Sequence, residues 1–505
     1  FFATTSGSGT LTYVANFGQD SSFAGTKTAQ GNQDGNDIGD FYYTPPTGFL
    51  ALCTSNLPDV AVVPSENFNT LLYTSTGSIL NVTNVGFQPD FTWLKRRGTG
   101  SHRIFDSVRG AAKALYTNET AREWAESGLT SFNSDGFTLG TDSGVNSASS
   151  TANISWNWKA GGSATSKTYA VTVVSDSGNK YRFDGFGTSA VTLDLQEGGT
   201  YKFDQSHSSN SGHPFRFGTS SNAYDYSTGV TTSGTPGNAG AYTQITVAAS
   251  APALYYACSS HSGMGGAANT NSTSGSSNFS GTIQSNVSVN VDAGFSIITY
   301  TANGSSTATI GHGLSQTAEM VITKRTDGVR NWHVGHKDLP FNSSSNSHHG
   351  YLTLNATGAS DPSNGGRANI PNTTTFQGEG GNGNTYLAYC FHSVDGYSKV
   401  GSYTGNGNAD GTFVYTGFRP AFLLMKVTNT ASDWHIVDSA RDVDNVIQKT
   451  LDPNTSSAEG SGSNRFDFTS NGFKLRQTSG SYNGNGSTYI YLAFAESPFK
   501  YSNAR

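Results

Sequence analysis

Apolar and polar residues alternate along this chain in short runs of about four to eight, each cut by Gly, Asn, Ser or Asp. Alternation of period two puts one face of a run in a core and the other in solvent, so the runs predict β-strands joined by tight turns. "FNSDGFTLG" (132–140) and "FTSNGFKLR" (468–476) each read as strand, turn, strand. Between 167 and 285, "TYAVTVVS", "KYRFDGF", "AVTLDLQEGGTYKFDQS", "HPFRFGT", "AYTQITVAA" and "ALYYACSSH" read as successive strands. One stretch breaks the pattern: "GAAKALYTNETAREWAE" (110–126) predicts a helix. No apolar run approaches the ~20 residues that span a bilayer, so no membrane insertion is expected.

The strand pattern repeats. "YTSTGS" (73–78), "YTANGS" (300–305) and "YTGNGN" (403–408) open three copies, A, B and C. "GFQPDFTWLK" (86–95) and "GFRPAFLLMK" (417–426) share Gly, Phe, Pro, Phe and Lys at the same offsets, with a weaker middle version in "GLSQTAEMVITK" (313–324). "FDSVRG" (105–110) and "VDSARD" (437–442) follow, with "NWHVGHKD" (331–338) in the middle copy. Each copy closes on an apolar strand: "ANISWNWKAGG", "NTYLAYCFHS" and "STYIYLAFAES". An ordered series of motifs at matched spacing is the signature of a repeated unit. The layout predicted is a partial sandwich (1–60), repeat A (73–162), an inserted domain (163–285), repeat B (300–402) and repeat C (403–505). Each copy of roughly 100 residues suits an antiparallel β-sandwich. "FLALC" aligns with "YLAYC", so Cys53 and Cys390 read as packed strand residues rather than reactive thiols.

Composition agrees with an all-β chain. Its 505 residues carry 61 glycines, 12% aromatics and only 13% charged residues, and turn and strand formers outweigh helix formers. The length calls for several cores. A net charge of −6 without clustered Lys and Arg argues against nucleic acid as a partner. Three cysteines cannot build a disulfide framework. The opening "FFATTSGSGT" has no charged n-region and is not a signal peptide, and more protein is expected upstream.

No nucleophile elbow, P-loop or zinc-protease motif is present, and no enzymatic activity is expected. The Asp-Ser-x-Arg motifs (Asp106, Ser107, Arg109; Asp438, Ser439, Arg441) recur at one offset, which suits a structural carboxylate–guanidinium pair better than catalysis. His333, His336, Asp338, His348 and His349 fit no standard metal spacing and read as a solvated loop. Asp34, Asp37 and Asp40 lack the EF-hand pattern and read as a polar loop rather than a Ca²⁺ site.

The motif series "GFQPDFTWLK…HRIFDSVRGA…LTSFNSDGFTLG…WKAGG" resembles a module of structural proteins of marine tailed bacteriophages. "NFGQDSSF…YYTPPTGFLALCTSNLP" resembles the closing part of a SPRY-like, concanavalin-like sandwich from the same kind of protein. The resemblance implies tandem jelly-roll or concanavalin-like sandwiches in a non-enzymatic virion appendage, a tail fibre or related surface protein. It further implies host attachment through a cell-surface glycan or protein, contact with other virion proteins, and a homotrimer that covers exposed sheet edges. Exposed Trp and Tyr would stack on sugar rings.

"YYACSSHSGMGG" (255–266) sets Cys258, His261 and Met264 at C-x2-H-x2-M spacing, about forty residues after the His213 of "GHPFRF". The order His, then Cys, His and Met from one late loop, resembles the cupredoxin fold. The resemblance implies a copper site in which His213 and His261 supply imidazoles, Cys258 a thiolate and Met264 a weak axial thioether. Pro214 departs from the Asn that many cupredoxins place after the first His, which puts the orientation and tuning of the ligands in question. His207 lies near but reads as solvated. Two rival readings follow: an extracellular cupredoxin-type redox protein, and a bacterial surface adhesin built from the same modules.

Overall fold

A computed structural model describes residues 14–57, 59–162, 165–342, 348–360 and 372–498. Among them the regular structure is β, relieved by three single-turn 3₁₀ helices, with no α-helix. The helix expected at 110–126 is instead two short strands, Lys113–Tyr116 and Trp124–Ala125, which pair with each other. Its helix formers are overruled by packing: Ala114 and Leu115 are buried, and the segment after them runs onto repeat B.

Each repeat has one four-strand frame. In A it is Phe68–Thr74, Ala152–Trp158, Phe91–Arg96 and Arg103–Asp106; in B, Phe295–Thr301, Thr385–Phe391, Met320–Arg325 and His333–His336; in C, Ser398–Thr404, Thr488–Pro498, Phe418–Val427 and His435–Asp438. The register matches as well: Trp93 faces Trp156, Ile322 faces Tyr389, and Leu424 faces Leu492. The two long motifs therefore occupy equivalent strands. Each frame begins a few residues upstream of the openings read from the sequence.

One face of each frame packs against a smaller sheet of its own repeat, such as Leu80–Thr83, Gly136–Leu139 and Leu129–Asn133 in A. The other face enters a core shared by all three repeats. Phe91, Trp156 and Trp158 meet Phe295, Trp332 and Tyr389 from B and Phe422, Trp434 and Phe494 from C. Burial on both faces explains why "FTWLK" and "FLLMK" read as continuous apolar runs rather than alternating ones.

The seams between repeats use the same bonds three times. The amide of Gly100 donates to the Ser456 carbonyl (2.8 Å), that of Arg330 to Thr120 (2.9 Å) and that of Ser432 to Thr357 (2.9 Å). Glu459 donates to Arg97, Glu123 to Thr326 and Ser360 to Thr428. Trp332 Nε1 donates to the Tyr116 carbonyl and Trp434 Nε1 to that of Thr353, while His102 at the same position accepts from Trp93 Nε1 of its own repeat. A thus docks on C, C on B and B on A, closing a pseudo-threefold ring within one chain.

The Asp-Ser-x-Arg motifs sit in these seams. Asp106 pairs with Arg109 at 2.6 Å and Asp438 with Arg441 at 2.7 Å, all four side chains buried. The same carboxylates accept bonds from the next repeat, Asp106 from the Tyr389 hydroxyl and Asp438 from Trp156 Nε1. In the third seam His336 replaces the aspartate and Leu492 replaces the aromatic donor, so no acceptor is needed there.

The N-terminal reading is corrected. Described residues before Asn56 form no strand, only an isolated bridge between Asn32 and Phe41. Without sheet neighbours, Phe49 and Leu52 stay exposed, and Cys53 is an exposed residue before a 3₁₀ turn, whereas Cys390 is a buried strand residue as read. Asp34 organises this loop: it accepts from the amides of Ala51, Asn36 and Ile38 and from Asn56 Nδ2. Burial works to raise its pKa, but those bonds outweigh it and hold the carboxyl down at about 2.

The insert is a separate sandwich with its own core of Tyr169, Phe183, Phe203, Phe215 and Tyr256. One sheet runs Asn179–Phe183, Ser166–Ser175, Thr200–Asp204, Tyr242–Thr246 and Val230–Ser233; the other Leu193–Gln196, Gly266–Asn271, Leu254–Cys258 and Phe215–Gly218. Both of its ends are tied to repeat A. The buried Asp90 carboxylate accepts from Ser107, from the Ala160 and Gly162 amides and from Ser274, and Gln196 bridges Gly162 to Gly275.

Candidate metal centre

Strands Phe215–Gly218 and Leu254–Cys258 are antiparallel neighbours in register Phe215↔Cys258. His213 lies just before the first and Cys258 ends the second, so the pairing alone sets the imidazole beside the thiol. Cys258 Sγ is 3.9 Å from His213 Nδ1 and 3.7 Å from His261 Nδ1, and the two imidazole centroids are 4.6 Å apart. Among the described residues this is the one cluster of three such donors close enough to share a metal. Cys258 is buried, His213 partly so, and His261 exposed. Met264 is buried in the apolar cluster that also holds Cys258. Three of the four candidate ligands thus converge, and the fourth lies under the loop.

The spacing suits a bound ion. A metal about 2.3 Å from sulfur and about 2.0 Å from nitrogen, at tetrahedral to trigonal angles, spans sulfur–nitrogen gaps of roughly 3.5–3.7 Å, close to the 3.7 and 3.9 Å found here. The donor chemistry, one thiol and two imidazoles, selects soft or borderline metals over Ca²⁺ or Mg²⁺.

The surroundings fix the ligands. The His213 carbonyl accepts from Tyr181 Oη (2.9 Å) and from Gln205 Nε2 (2.9 Å), and its amide donates to Asn210 O. Gln205 Oε1 also accepts from the Phe215 amide. Pro214 cannot donate, but its carbonyl accepts from Ser259 N at 3.1 Å, so backbone bonding joins the two ligand segments where a side-chain amide was missed. Ser260 N points at Cys258 Sγ from 3.4 Å. Gly265 lets the loop close: a Cβ there would stand 1.7 Å from the Tyr256 carbonyl oxygen. Tyr181 N holds the Met264 carbonyl at 3.0 Å, and Lys180 Nζ bonds the Gly263 carbonyl. Burial, then the neighbouring His261, hold the His213 pKa below the usual imidazole value, which favours the neutral, metal-binding form.

Other sequence candidates separate from this centre. His207 is exposed and caps a 3₁₀ turn. The middle-copy histidines are not a solvated loop: His333 and His336 lie buried on a strand. His333 bonds the Glu379 carboxylate, which also takes Arg330 and Thr323, and His336 Nδ1 accepts from the Asp338 amide. Their polar spacing hid a strand buried on both faces. For His348 and His349 only their strand pairing is described. Tyr181, Gln205 and Asn210 escaped sequence reading: Tyr181 lies 32 residues from the His213 it supports, and Gln205 and Asn210 sit in a polar stretch that carries no local sign of their bonds to His213.

The chain belongs to the family described as "Domain of unknown function (DUF7483)", whose model matches residues 63–199 and 267–498. The two spans run through all three repeats and both flanks of the insert. His213, Cys258, His261 and Met264 fall between them. Comparison with curated proteins and with solved structures returned no match.

Proposed function

We propose that this chain is a non-enzymatic appendage of a marine tailed-phage virion, a tail fibre or related surface protein, whose cupredoxin-like insert holds one copper ion. The observation that carries the metal assignment is the convergence of Cys258 with His213 and His261 at one edge of the insert. Copper fits because thiolate and imidazole are its preferred partners and Cu²⁺ heads the divalent affinity order. We assign the ion a structural role: it would link the segment before strand Phe215–Gly218 to the Cys258 loop. The exposed edge of His261 also keeps the redox-protein reading alive as the alternative.

The appendage assignment rests on the module resemblance of the repeats, together with a body made of sandwiches. Attachment to a host glycan or protein would use surface loops. The side chains available for it are fewer than composition suggests: Trp93, Trp156, Trp158, Trp332 and Trp434 are buried, leaving Trp124, 49% exposed, beside Arg122. A homotrimer remains part of the proposal with a narrower motive, because the repeats already cover one another. Mass spectrometry and immunogold labelling of purified particles test the location. Detection on virions is the expected result; detection only on cell envelopes would favour the adhesin.

A further inference from the structure

A cleft of about 340 Å³ opens between the insert and repeat B, and none of the four candidate metal ligands lines it. Its one charged lining residue is Lys167. Around it stand Asn278, Ser280 and Thr374, and its floor is apolar, from Val289 and Leu314. We propose that this cleft binds a single carboxylate-bearing saccharide unit, with Lys167 as counter-ion to the carboxylate.

Lys167 Nζ donates to the Ser277 carbonyl (2.5 Å) and lies 5.0 Å from the Tyr169 ring centroid. Among the described residues it makes no ion pair, and its one acidic influence is Asp184 at longer range. Burial pulls its pKa down to about 8, with Asp184 opposing. Lys167 lines the cleft, and an ammonium with one carbonyl partner beside a ring face has protons left to donate. A bound anion is the partner that such a group lacks.

The rest of the lining sets the class. Phosphate and sulfate esters carry charge that calls for several cations or an amide nest. The cleft offers one ammonium, and the chain as a whole is acidic at −6. One positive charge matches one carboxylate. Asn278 Oδ1 accepts from the Ser280 amide, which leaves Nδ2 to donate to a ligand, and Ser280 lines the cleft as well. Hydroxyl and amide groups over an aliphatic floor suit a sugar, which has a polar rim and C–H faces. The volume lies at the lower end of ligand pockets and suits one or two rings.

This inference deepens the attachment part of the proposed function by naming a ligand class; it does not involve the copper site. The test uses the full chain with D-galacturonate, D-galactose, acetate and inorganic phosphate, read by calorimetric titration. D-galacturonate should bind at least about tenfold tighter than D-galactose, as expected for one charge-assisted bond. Lys167→Met should abolish that difference and Lys167→Arg should retain most of it, with the melting temperature and copper uptake of both variants unchanged. Equal binding of galactose, tighter binding of phosphate or acetate than of galacturonate, or no binding at all would overturn the inference. If galacturonate fails while the chain still adheres to host cells, the saccharide assignment falls and the attachment reading stands.

Discussion

Repeated side chains were the most legible residues, and repetition also told which of them are structural. Asp106 and Asp438 were readable as partners of Arg109 and Arg441 because the spacing recurs. That they also receive Tyr389 and Trp156 from another repeat was not readable, since no local pattern encodes contacts 283 and 282 residues away. Removing one partner of a buried ion pair strands the other, so Asp438→Ala should cost about 3–5 kcal/mol in urea unfolding. The double variant Asp438→Ala/Arg441→Met should recover part of that loss. Lysine at the shared offset was visible too, but its burial was not, because lysine usually marks a surface. Lys95, Lys324 and Lys426 are all buried, each bonded to backbone carbonyls, Lys324 to Thr120 of repeat A and Lys426 to Thr357 of repeat B. Burial lowers each pKa to about 8; Arg441 adds to it at Lys95 and Arg330 at Lys324, while Asp433 opposes it at Lys426. Between that value and the ordinary lysine pKa of about 10.4 the unfolded chain holds more protons than the folded one. Stability should therefore rise with pH from about 8 to about 10, the level above which raised tyrosine pKa values reverse the sign. Urea midpoints measured at pH 7.5 and 9.5 check this, and replacing all three lysines by Met should remove most of the slope, the remainder coming from Lys167, which burial also holds at about 8.

At the level of elements, the strands read well where they alternate and where they are wholly apolar, while the segment at 110–126 misled. Its Ala, Glu and Arg content favours a helix, yet the Thr120 carbonyl and Glu123 amide are used by repeat B. Composition cannot record such a demand. The seam predicts its own energetics. Trp434→Phe keeps the apolar body and loses the bond to the Thr353 carbonyl, at a cost of about 1 kcal/mol. Trp434→Ala should cost about 3–5 kcal/mol. The site was legible as His213 followed by Cys258, His261 and Met264 in order, and closure of the Cys258 loop depends on Gly265. A methyl group there collides with backbone, so Gly265→Ala should shift the loop and weaken metal uptake at least about tenfold, measured by competition with a chelator, while the repeat body unfolds as before.

For the molecule as a whole, the order of repeats was legible and their closure into a ring was not. Sequence repetition shows that units are alike; only the shared core of Phe91, Phe295, Phe422 and their neighbours shows that they pack on one another. Because that core is common and the insert has its own, calorimetry should show two transitions: one for the ring and one for the insert. Copper should move the second alone, since a ligand stabilises the unit that holds its site. The account turns on that site. The most direct measurement is a titration of the reduced full chain with Cu²⁺, followed by visible absorption and electron paramagnetic resonance, beside Cys258→Ser. The account predicts saturation at one copper per chain and an intense thiolate–copper band, with the band lost in Cys258→Ser. A wild-type chain that stays colourless and retains no copper after dialysis would contradict it.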